Sequence, residues 1–81
     1  MTCSDEAIRG VLMDLAQERG RGRSFCPSEA ARRLAPEWRQ LMPDIRRVAQ
    51  ACAAEGLLCA TQRGRPVDPR TARGPIRLAL P

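Results

Sequence analysis

Residues 43–80 read PDIRRVAQACAAEGLLCATQRGRPVDPRTARGPIRLAL, and the fold turns on three changes of pattern within them. Ile45, Val48, Ala49 and Cys52 recur at helical spacing. Pro43 suits the first position of that helix, where its missing N–H is no loss, whereas an interior proline costs roughly 3 kcal/mol. Gly56 follows as a C-cap, so the spacing predicts a helix over 43–55. The next stretch, LLCATQ, is short, apolar and β-compatible. The last, IRLAL, alternates, with Ile76, Leu78 and Leu80 on one face and Arg77 and Ala79 on the other. Strands over about 57–62 and 75–80 therefore form a hairpin around a loop at 63–74. A loop of about twelve residues is long for a hairpin, and loops of that length are functional or disordered as a rule. Pro66 and Pro69 argue for order, and Asp68-Pro69 reads as a turn.

Upstream, SDEAIRGVLMDLAQERG carries Ile8, Val11, Leu12 and Leu15 on one helical stripe. Ser4 is the expected N-cap, Asp5 and Glu6 suit the positive end of the helix dipole, and Gly20 and Gly22 end a helix predicted over 4–19. Ser24-Phe25 suits a very short strand. Pro27 then opens a helix predicted over 27–35, which stops before Pro36. With Pro43 at the start of the third helix, the connection covers 35–42, longer than a helix-turn-helix turn of about 3–4 residues. Trp38 and Leu41 fall on the buried side if the phase of the third helix is carried backwards.

The resulting order is helix, short strand, helix, helix, strand, loop, strand. It predicts an α+β fold: a winged helix-turn-helix with three helices and a small antiparallel hairpin as the wing, in one domain over 1–81. In that arrangement the third helix enters the major groove. Arg39, Arg46, Arg47 and Gln50 on it are the candidates for contact, since arginine pairs bidentately with guanine and glutamine with adenine. Arg63, Arg65, Arg70 and Arg73 on the wing are the candidates for phosphates or the minor groove. Arg46 and Arg47 also suit a plain solvated helix face, and Asp68 can pair with a wing arginine.

Composition agrees with a polyanion partner. The chain has 81 residues with 14 basic against 9 acidic, net +5, and every basic residue is arginine. The excess is uneven: residues 21–81 hold twelve arginines against five acids, while residues 1–20 are net negative. A GC-rich coding sequence would favour arginine everywhere, so the distribution is more informative than the count. A domain of this size buries only about 60–65% of its unfolded surface, which leaves a thin core. There is no histidine, and Cys3, Cys26, Cys52 and Cys59 have no C-x-x-C spacing, so neither a metal nor a cofactor is expected. Cys52 and Cys59 suit small core hydrophobes.

No nucleophile–base pair can be assembled, and an enzyme is not expected. A nucleic-acid-binding module is the leading reading, with duplex DNA favoured because the strands offer no aromatic side chains for stacking RNA bases. The alternative is a protein–protein interaction adaptor on the same scaffold. No membrane-spanning run or leader pattern is visible, and a cytoplasmic monomer is the expectation.

Four blocks carry a resemblance: CPSEAARRL (26–34), WRQLMPDIRRVA (38–49), QRGRPVDP (62–69) and RGPIRL (73–78). They resemble the signature blocks of a small bacterial domain family of unknown function with a winged-helix fold. The likeness spans about residues 5–80. It implies the fold, and it brings no activity and no catalytic or ligand residues.

Overall fold

The computed structural model describes residues 3–81. Three helices precede a three-stranded antiparallel sheet: α1 (Asp5–Arg19), α2 (Pro27–Leu34), α3 (Trp38–Ala54), β1 (Cys59–Gln62), β2 (Arg65–Pro66) and β3 (Arg77–Ala79). The sheet order is β2-β1-β3, and β1 pairs antiparallel with both neighbours. Phe25 adds an isolated antiparallel bridge to Leu78, with both of its backbone hydrogen bonds at 2.8 Å. The fold is α+β, and its order is compatible with a winged-helix arrangement.

Each helix begins as its residues dictate. The Ser4 Oγ accepts from the Ala7 N–H at 3.1 Å and caps α1, and Gly20 ends it at φ +79°. Pro27 occupies the first turn of α2, while the Glu29 carboxylate reaches back to the Cys26 N–H at 3.0 Å. One core forms where the three helices meet the sheet. Ile8, Leu12 and Leu15 of α1 pack with Phe25, with Ile45 and Ala49 of α3, and with Ile76 and Leu78. Cys52 is fully buried in that core, and burial pushes its thiol up from the ordinary value.

The start of the third helix is a correction. It begins at Trp38, five residues before the predicted start at 43, and Pro43 lies inside it. Leu41 is buried and Trp38 half-buried, so the apolar stripe of Ile45 and Val48 continues backwards past the proline. That burial outweighs the lost hydrogen bond, and Pro43 itself is exposed, leaving the unpaired Arg39 carbonyl close to solvent. The connection shrinks accordingly to Ala35–Glu37, a three-residue turn of helix-turn-helix length.

The hairpin differs too. The predicted twelve-residue loop is broken by β2, which folds straight back on β1 through Arg63-Gly64. Both residues have positive φ, +54° and +80°, the signature of a type I′ turn. Cys59 is exposed rather than in the core, because β1 turns Ala60 inward and so its immediate neighbours outward.

Candidate nucleic-acid interface

The arginines divide by what holds them. Four form ion pairs with acids of the helical layer: Arg9 with Glu55 at 2.7 Å, Arg33 with Glu18 at 2.8 Å, Arg47 with Asp5 at 2.8 Å and with Asp44 at 3.4 Å, and Arg19 with Glu29. 

Arg47 thus spans from α3 to α1 and grips Asp5 through both of its terminal nitrogens. The hydrogen bonds from Arg47 hold the Asp5 carboxyl below its ordinary range and raise the guanidinium in turn. The side chain is therefore committed to helix packing and faces α1, away from the wing.

Arg46 is committed differently. Its Nη1 donates to the carbonyls of Ala72 at 2.7 Å and Pro69 at 3.3 Å, and its Nη2 to that of Gly74 at 2.8 Å. The planar fork of arginine suits this, presenting several donors at fixed angles. Gln62 Nε2 donates to the carbonyls of Arg73 and Pro75 from the other side. Pro69 is buried beneath this frame, and Asp68 accepts from the Arg70 N–H at 2.8 Å, closing a local turn. The 67–75 segment is therefore a shaped loop fastened to α3 and β1.

The wing arginines are left over. Arg63, Arg65, Arg70 and Arg73 are all exposed, and among the described residues none has an ion-pair partner. An open groove between the type I′ turn and residues 73–75 gathers Arg63, Arg65 and Arg73 along its walls, with Arg70 outside it. On α3, Arg39, Pro43, Arg46 and Gln50 follow one another at i, i+4, i+7 and i+11, so they share a stripe. Arg46 ties this stripe to the loop. The structure thus links the stripe of Arg39 and Gln50 to the wing through Arg46, which lies in the scaffold of this candidate basic side.

The span of these features coincides with a family match. A model described as "Protein of unknown function (DUF3253)" matches residues 5–81. The chain belongs to this family. No curated protein matches the chain. The DUF3253 match runs from the first residue of α1 through the whole wing, so every element that frames the basic side lies within it.

Two features of this DUF3253 domain are not legible in its residue spacing. Arg77 is held by Ser24, its Nε donating to the Ser24 Oγ and its Nη2 to the Ser24 carbonyl, both at 2.9 Å, which fastens β3 to the bridge segment at Phe25. Arg32 and Arg39 both lie over the Trp38 ring, their guanidinium carbons 4.6 Å and 4.4 Å from its centroid. The tryptophan flanked by arginines on two helices was the available signal, but the short turn that brings α2 against it was hidden by Pro43.

Proposed function

We propose that this chain is a nucleic-acid-binding module, and not an enzyme, that docks on duplex DNA through the exposed stripe of α3 and the arginine wing. The observation that carries this reading is the unmatched charge of the wing. Four exposed arginines lie on the wing, Arg70 and Arg73 on the loop shaped by Arg46 and Gln62 and Arg63 and Arg65 on the adjoining β1–β2 turn and β2, while Asp5, Glu18 and Glu55 of the helical layer are paired elsewhere. A cation group held apart from its own carboxylates suits phosphate binding, where charge neutralisation releases counterions. Gln50 is the candidate of the stripe for a base edge, and Arg39, at the start of the helix, its candidate for the backbone. Arg46 and Arg47 act as scaffold: one shapes the wing and the other holds α3 against α1.

The test is an NMR titration of the chain with a short mixed-sequence duplex at two salt concentrations. Shifts are expected in residues 62–75 and along Arg39, Pro43 and Gln50, with affinity falling steeply as salt rises. An absence of binding at low salt, or binding indifferent to salt, would overturn the reading and favour a protein partner.

A further inference from the structure

The Arg32–Trp38–Arg39 cluster lies away from the arginine groove of the wing, at the turn between α2 and α3. Arg32 is in the last turn of α2 and Arg39 in the first turn of α3. Their guanidinium carbons lie over one indole ring, at 4.6 Å and 4.4 Å from its centroid. The two charges are therefore at most about 9 Å apart, within about one Debye length at ordinary salt, so their repulsion is only partly screened. Among the described residues neither has a carboxylate partner. Arg33, the next residue to Arg32, does have one, in Glu18 at 2.8 Å.

The cation–π contact holds each guanidinium at the indole without using its N–H donors on an acid. Two such groups, gathered by one ring and lacking a carboxylate, form a receptor for a tetrahedral oxyanion, since arginine binds phosphate bidentately. Position then selects the kind of phosphate. In a helix-turn-helix the first helix crosses the nucleic-acid backbone and the start of the second enters the groove, so the turn between them passes close to a phosphate. The ring already carries two guanidinium groups, with which a stacking base would have to compete.

We infer that Arg32 and Arg39, held by Trp38, clamp one backbone phosphate of a duplex at the α2–α3 turn. The inference rests on the nucleic-acid reading above and adds a contact remote from the wing.

Trp38 is the only tryptophan in the chain, so its emission reports directly on this site. The experiment titrates the full chain and its R32Q, R39Q and R33Q variants with a short mixed-sequence duplex, at roughly 50 and 200 mM salt. All three positions are exposed, and circular dichroism checks that each variant is folded. Duplex should shift the Trp38 emission of the unsubstituted chain. R32Q and R39Q should each bind about five- to tenfold more weakly, with the salt slope lowered by about one. R33Q makes the same change in net charge and should stay within about twofold.

If R32Q and R39Q bind as R33Q does while the unsubstituted chain binds duplex, the clamp is wrong and the nucleic-acid reading stands. If the unsubstituted chain binds no duplex at low salt, both fail. If a glutamate-rich peptide moves the Trp38 emission more strongly than duplex does, the phosphate assignment is overturned in favour of an acidic protein partner.

Discussion

Two neighbouring arginines on α3 show how position decides the role of a residue. Arg46 and Arg47 differ by one residue and about 100° of helix rotation, so one faces the wing and the other α1. Arg46 closes the loop through three carbonyls, and it is partly buried as it does so. Replacing it with alanine should cost about 1–3 kcal/mol, because those carbonyls lose a charged donor. Faster amide exchange across residues 67–75 would be the accompanying sign. Arg46→Lys should recover little, since an ammonium cannot reproduce the planar fork. A wing that exchanges at the original rate in Arg46→Ala would show that Gln62 and the buried Pro69 hold it unaided. Arg63 offers the complementary test. It sits at φ +54° in a type I′ turn, a position where asparagine is preferred. Arg63→Asn should therefore leave thermal stability equal or higher, by up to about 0.5 kcal/mol, while weakening duplex binding. A loss of stability with unchanged binding would mean that the Arg63 side chain supports the fold and not the interface.

At the scale of elements, Pro43 is the instructive residue. It sits in the sixth position of α3, exposed, and denies the Arg39 carbonyl its helical partner. Pro43→Ala should stabilise the chain by about 1 kcal/mol, measured by denaturant melts, less than the full interior penalty because the site is near the helix start. Destabilisation instead would show that the proline's rigidity, which limits the unfolded chain, outweighs the missing bond. The same residue explains what was legible in the sequence. The first helix could be read because Ile8, Leu12 and Leu15 repeat locally and Ser4 caps them. The alternation of Ile76 and Leu78 exposed β3 in the same way. The start of α3 is not legible because a local rule about proline competes with burial of Leu41, and burial is a tertiary quantity. The two-residue β2 has no period to detect. The scaffolding roles of Arg46 and Arg47 depend on partners 23–42 residues away in the chain, which spacing alone does not reveal. The charge of the wing was visible, but not which arginines were already spent on the fold.

Across the whole molecule, acids and arginines are sorted into two regions that respond differently to pH. In the helical layer the hydrogen bonds from Arg47, Arg33 and Arg9 hold Asp5, Glu18 and Glu55 below their ordinary values of 3.8 for aspartate and 4.5 for glutamate. A carboxylate whose folded value is depressed contributes stability that is present above its unfolded value and lost as pH falls through the folded one. The melting temperature should therefore be level from neutral pH down to about 5 and fall below about 4. Since the pairs are exposed, added salt should shrink that fall. It should also be smaller in Arg47→Gln, which has already lost the Asp5 pair. A melting temperature unchanged down to pH 3 would show that these pairs contribute nothing in solution. The cations of the basic side are all arginine, whose charge does not change in this range. Duplex affinity at fixed salt should then be constant between about pH 6 and 9, as a phosphate contact made by arginine alone requires. Affinity that varies over this interval would place a titrating group, a cysteine thiol above all, in the interface, and the arginine wing would no longer account for binding.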